Sequence, residues 1–163
     1  MDSNNIKFNK NDRVLCLDVA KTTGIVVSDG LGKPLICSKI RMDDTILAFA
    51  VYYGLLKQFK ITHVFYEKVQ FARARIATEC YAKLETCLSS SCLFQGIKPI
   101  PVLTGDVKKA LSGKGNSNKK TMVAFANQKY NLKLNDSDHD IADALGILAF
   151  VEQTYLCKIM KES

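Results

Sequence analysis

The sequence has no apolar run approaching the length of a membrane span, no CxxC pair and no Cys/His cluster with zinc-site spacing. It also has no internal repeat, no low-complexity tract and no stretch that reads as an interdomain linker. The first absence argues against a transmembrane protein. The second and third argue against a zinc module and a disulfide scaffold, so the six cysteines (Cys16, Cys37, Cys80, Cys87, Cys92 and Cys157) read as reduced, mostly buried thiols. The remaining absences fit a chain of 163 residues that makes one domain. The N-terminal stretch MDSNNIKFNKND is polar and carries no signal-peptide pattern, so a soluble, cytoplasmic protein without a membrane partner is expected. Acidic residues are in deficit, 16 Asp and Glu against 23 Lys and Arg, for a net charge of +7. A basic balance of that size favours a polyanionic partner, of which nucleic acid is the commonest.

Residues 1–12 read as a polar, frayed tail and 13–163 as a single domain. RVLCLDVA is a short apolar run, unbroken by alternation, which predicts a central strand buried on both faces and ending at Asp18. TTGIVVSDG and KPLICSKIRM read as two further strands joined at the Asp29-Gly30 turn signal. DDTILAFAVYYGLLKQF has helical spacing, with Asp43 or Asp44 placed to cap it. THVFYEKV is a second buried strand, carrying Glu67. A long helix over about 73–95 and a strand in IKPIPVL follow. TGDVKKALSG, NSNKKTMVAFANQKY and SDHDIADALGILAFVEQTYL complete the chain as helices, with GKGNSNKK as a mobile loop. Hairpin-joined strands first and crossover-joined strands later predict an α/β fold, with helices packed on a mixed sheet.

Three acidic positions stand out. Asp18 and Glu67 end strands that are otherwise apolar, where a carboxylate is costly unless something pairs with it. Asp140 and Asp143 are three apart near the start of the last helix and share one face. Each taken alone fits a turn acceptor or a helix cap. Taken together, at strand ends and a helix start that can meet, four carboxylates raise one another's pKa values and call for a divalent cation. Two ions about 4 Å apart can activate a water and stabilise the leaving oxygen in phosphodiester cleavage. Lys108, Lys109, Lys114, Lys119 and Lys120 crowd one region, and Arg73 and Arg75 follow Glu67. Such groups serve either as phosphate contacts or as a solvated face. Phe71 either stacks on an unpaired base or packs under the next helix. His139 neighbours the acidic pair, but its place in the helix turns it away from Asp140 and it is left out of the site.

LCLDVAKTTG around Asp18, HVFYEKVQF around Glu67 and Asp140-Ile-Ala-Asp143-Ala-Leu resemble the three acidic motifs of the RuvC family of Holliday-junction resolvases. DVKKALSGKGNSNKKTMV resembles that family's lysine segment, and the resemblance spans roughly residues 13–150. Two departures are visible. The family's Asp-Pro-Gly-Ser reads here Asp18-Val19-Ala20-Lys21, and the aromatic expected three residues after Glu67 is Gln70, with Phe71 one later. The resemblance implies a ribonuclease H-like five-stranded mixed sheet flanked by helices. It also implies a homodimer that needs Mg2+ or Mn2+, with two ions per site, no small-molecule cofactor, and four-way DNA junctions as partner. Metal-activated water would nick two strands symmetrically, leaving 5′-phosphate and 3′-hydroxyl ends. Asp18, Glu67, Asp140 and Asp143 would bind the metals, Lys108 would bind DNA, and Lys119 would stabilise charge in the transition state, with Lys120 as the alternative. The helix at 76–95, with Cys87 and Leu88 along it, would line the dimer interface as well as the core. The short chain is compatible with a phage or viral member, active in the cytoplasm of a bacterial or phage-infected cell. Two other readings remain at this point: a nuclease of the same fold acting on flaps, forks or RNA–DNA hybrids, and a catalytically silent DNA-binding module.

Overall fold

The computed structural model describes residue 6, residues 8–69 and residues 75–156. Five strands form one sheet: β1 (Arg13–Asp18), β2 (Thr22–Asp29), β3 (Pro34–Arg41), β4 (His63–Lys68) and β5 (Ile100–Leu103). Their order is β3-β2-β1-β4-β5. The β1–β2 and β2–β3 pairs are antiparallel, whereas β1–β4 and β4–β5 are parallel. This is the mixed five-stranded, helix-flanked α/β architecture that the strand order implied. Helix α1 (Thr45–Gln58) connects β3 to β4 and α2 (Arg75–Phe94) connects β4 to β5. Helices α3 (Thr104–Ser112), α4 (Lys119–Tyr130) and α5 (His139–Val151) follow. A 3-10 turn over Asp136–Asp138 leads into α5, which continues as a π-helical turn over Glu152–Leu156.

The unbroken apolar run of β1 has the cause inferred from it. Val14 and Cys16 face a core completed by α3, α4 and α5. Leu15 and Leu17 face a second core completed by α1 and α2. Alternate residues of a strand point to opposite faces, so a strand sandwiched between helices must be apolar at every position. The α1 cap is Asp44, whose carboxylate accepts from the Leu47 amide at 2.7 Å. Asp43 instead holds Arg41 at 2.7 Å.

Three expectations change. The N-terminal segment is not a loose tail where it is described. Phe8 is buried against His63, Phe65 and Tyr155, and the Asn9 amide donates to Asp12. The loop before α4 is stitched rather than open. The Ser112 and Ser117 hydroxyls share a hydrogen bond at 2.6 Å, both lie within 3.1 Å of the Lys114 carbonyl, and Asn118 caps α4. On α2, Leu88 has no exposed surface and packs in the second core, so it is no interface position. A helix lying over a sheet buries the stripe that faces it, and Leu84, Leu88 and Cys92 form that stripe. Cys16, Cys37, Cys80, Cys87 and Cys92 are all free thiols. Among the described residues, no helix is long and apolar enough to cross a membrane.

Candidate active site

β1 and β4 run parallel and adjacent, with Leu17 beside Tyr66, so Asp18 and Glu67 stand side by side at the same end of the sheet. The turn after Asp18 is closed by the Thr23 hydroxyl, which donates to the Ala20 carbonyl at 2.7 Å. Gly24 sits opposite Asp18 in the β1–β2 register. A Cβ on Gly24 would lie 1.9 Å from the Asp140 carbonyl oxygen, so only glycine lets α5 begin against the sheet here. That contact delivers Asp140 and Asp143 to the end of β1.

The four carboxylates meet electrostatically. The Asp18 carboxyl is pushed well above its ordinary range, first by burial and then by Glu67, Asp143 and Asp140, with Lys119 opposing. Asp143 is pushed up to about 6, again mainly by burial and then by Glu67; Lys108 and Lys119 pull it back, and Asp140 adds to the rise. Lys108 and Lys119 therefore stand close enough to act on the acidic group. Lys120 does not share this placement. It reaches Asp136 at 3.7 Å, with both side chains largely exposed. Lys109 and Lys114 are exposed. Phe71, Arg73 and the side chain of Arg75 lie outside the described residues.

Contacts invisible in the sequence complete the site. The Thr104 hydroxyl at the start of α3 donates to Glu67 Oε1 at 2.6 Å. The Tyr81 hydroxyl of α2 donates to the Glu67 carbonyl at 3.2 Å. Both partners are far from Glu67 along the chain, and nothing local announces them. His139 corrects the expectation that it turns away. Its Nδ1 lies 2.9 Å from Asp140 Oδ1, and both ring nitrogens are 3.3 Å from Lys119 Nζ. The ring lies between Asp140 and the Lys119 amine at the start of α4.

Among the described residues, no three His, Cys, Asp or Glu side chains are drawn tightly enough to hold an ion as they stand. The donor set nonetheless suits one. It consists of hard oxygen ligands, and burial followed by their mutual repulsion raises the Asp18 and Asp143 carboxyls. A divalent cation removes that repulsion.

The sequence model of the family "Crossover junction endodeoxyribonuclease RuvC" matches residues 36–150. The chain belongs to the RuvC family. It is therefore a crossover junction endodeoxyribonuclease by family, and the match takes in Glu67, Lys108, Lys119, Asp140 and Asp143. It begins after the first acidic motif, where the chain departs from Asp-Pro-Gly-Ser. A comparison with curated protein sequences finds no match. Among solved structures, the fold is similar to Thermus thermophilus RuvC in complex with a Holliday junction substrate. There the TM-score is 0.74 at 18% identity, covering 86% of this chain and 92% of the other. A second Thermus thermophilus RuvC structure gives a TM-score of 0.69 at 18% identity, covering 86% and 95%. The yeast mitochondrial Holliday junction resolvase Ydc2 gives 0.64 at 13% identity, covering 97% and 87%.

Proposed function

We propose that this chain is a homodimeric, divalent-metal-dependent resolvase that nicks two strands of a four-way DNA junction symmetrically. The observation that carries the reading is the convergence of Asp18, Glu67, Asp140 and Asp143 at one end of the sheet, with Lys108 and Lys119 beside them. The four carboxylates would hold two Mg2+ or Mn2+ ions. When bound, such ions activate water and stabilise the leaving oxygen of a phosphodiester, which leaves 5′-phosphate and 3′-hydroxyl ends. The protein's own groups do the rest. Thr104 holds Glu67 in one orientation through its hydroxyl. Lys119 offsets charge that develops on the phosphate. Lys108, Lys109, Lys114 and Lys120, with Arg73 and Arg75, contribute sequence-independent attraction to the DNA backbone, and Phe71 stacks on a base at the branch.

Dimerisation supplies the pairing of nicks, since a two-fold axis places two equivalent sites on two equivalent strands. The α1/α2 layer supports it by exposing large apolar side chains: Ile46 at 82%, Leu93 at 77% and Phe94 at 71%. Phe94 meets Phe49 edge-on, and Phe49 stacks on Tyr53, so these three rings form one aromatic cluster on that layer.

Cleavage of a synthetic four-way junction, set beside fork, flap and linear duplex with and without Mg2+, tests the reading. Paired nicks in the junction that require the metal are expected. Asp18→Asn or Asp143→Asn should abolish cutting while leaving junction binding intact or tighter, because each removes a charge that repels phosphate. Wild-type cutting by either variant removes the residue from the mechanism. Preference for flaps or RNA–DNA hybrids would replace the substrate and keep the chemistry.

A further inference from the structure

Helix α5 must start in one place if Asp140 and Asp143 are to face Asp18. Its N-cap, Asp138, makes no capping hydrogen bond to the helix. Besides the α4 lysines at His139 and Asp136, its start is held from across the sheet. Lys39 lies on the edge strand β3, in register with Gly24, which in turn pairs with Asp18. The three form one row running from the sheet edge to the acidic site. Lys39 Nζ donates to the Ser137 carbonyl at 2.6 Å and pairs with Asp138 Oδ1 at 2.9 Å. The other Asp138 oxygen accepts from the Asn135 amide at 3.0 Å, while Asn135 Oδ1 accepts from the Ser137 amide at 2.9 Å. The 3-10 turn is thus closed on itself by its own box and tied to the sheet by the Lys39 amine.

From this geometry we infer that Lys39 is a positioning residue for the acidic site. By holding Ser137 and Asp138 it sets where α5 begins, and hence where the Asp140 carboxylate stands relative to Asp18. It touches neither substrate nor metal. The inference rests on the reading of Asp140 and Asp143 as metal-holding residues. It matches a general pattern in which groups behind metal ligands fix their orientation, and in which losing one costs about 10–100-fold in metal affinity or activity. A half-buried ion pair contributes little to stability, so the consequence falls on placement more than on folding.

The test compares wild type, Lys39→Met, Lys39→Arg, Asp138→Asn, the Met/Asn double variant and Asp143→Asn as the control for the site. Mn2+ binding to each protein without DNA is followed by electron paramagnetic resonance. Single-turnover junction cleavage, metal-free junction affinity and melting temperature are measured alongside. Lys39→Met should weaken Mn2+ binding about tenfold and slow cleavage in step, with junction affinity and melting temperature near wild type. Lys39→Arg, which can still reach both acceptors, should restore most of the loss. Asp138→Asn should lose Mn2+ affinity too, and the double variant should lose less than the two effects combined, because both remove one connection. Wild-type Mn2+ affinity in Lys39→Met, with loss in Asp143→Asn, overturns the role of Lys39 and leaves the site standing. Lost junction affinity with unchanged Mn2+ binding overturns it in favour of a phosphate contact. Unchanged Mn2+ binding in Asp143→Asn defeats the reading of the site itself, and the role of Lys39 with it. If Lys39→Met does not fold, the Arg and Asn variants decide: Mn2+ affinity at wild-type level in Asp138→Asn overturns the inference.

Discussion

At the scale of single residues, a buried carboxyl among other carboxyls keeps its proton longer than it would in the unfolded chain. Asp143 does so up to about pH 6, and Asp18 is shifted in the same direction. A group whose folded pKa lies above its unfolded value binds protons better in the folded state, so its contribution to stability is lost as pH rises through the folded value. The share of stability that these carboxyls contribute to the metal-free protein should therefore fall as pH rises from about 4 through 6, whereas His63, whose pKa burial lowers, works in the opposite direction near the top of that window. Asp143→Asn should flatten that slope, and Mg2+ should restore the melting temperature at neutral pH. A wild-type melting temperature that does not fall relative to that of Asp143→Asn across this window would contradict the crowding of carboxylates. The lysines separate in a similar way. Lys119 acts on Asp18 and Asp143, whereas Lys120 turns outward to Asp136. Lys119→Ala should cut the single-turnover rate at saturating junction by about 10²–10³-fold, the usual effect of removing one group that stabilises transition-state charge. Lys120→Ala should leave that rate near wild type. Equal effects would place both lysines on the phosphate backbone alone.

At the scale of elements, the site depends on how α5 meets β2. Gly24 is needed for its lack of a side chain, since the added Cβ would strike backbone rather than a movable side chain. Overpacking of that kind costs about 1–3 kcal/mol, and the helix start must shift to relieve it. Gly24→Ala should lower the melting temperature and weaken Mg2+-dependent cleavage together. A variant with both properties at wild-type level would show that β2 and α5 do not approach this closely. The close approach was not legible in the sequence: Gly24 reads there as part of a strand, 116 positions before its neighbour Asp140. Helix α2 shows the converse. Its apolar spacing was legible, but which stripe faces the sheet was not, and Leu88 falls on the buried side while Leu93 and Phe94 stay outside.

At the scale of the whole molecule, that division of α2 gives a clean test of assembly. Phe94→Glu should split a dimer without unfolding the protein, because the residue is exposed within one copy. Leu88→Ala should instead cost about 2–5 kcal/mol of stability, the usual range for emptying a core leucine. Light scattering and thermal melts separate the two outcomes. A wild-type protein that is monomeric both free and on a junction would remove the basis for paired nicking. A Phe94→Glu protein that remains dimeric would move the interface elsewhere.

Strand and helix identities, the buried centre of the sheet and the acidic candidates were all set by local properties of the sequence. An unbroken apolar run demands two covered faces, helical spacing demands one, and a carboxylate at the end of such a run demands a partner. None of these requirements depends on distant parts of the chain. What the tertiary structure alone decided are the pairings between residues far apart: Thr104 on Glu67, Lys39 on Ser137 and Asp138, His139 against Lys119, and Lys119 rather than Lys120 toward the acids. Long polar side chains reach several ångströms and choose among many neighbours. Their partners follow from where the helices land on the sheet, and no local pattern encodes that placement.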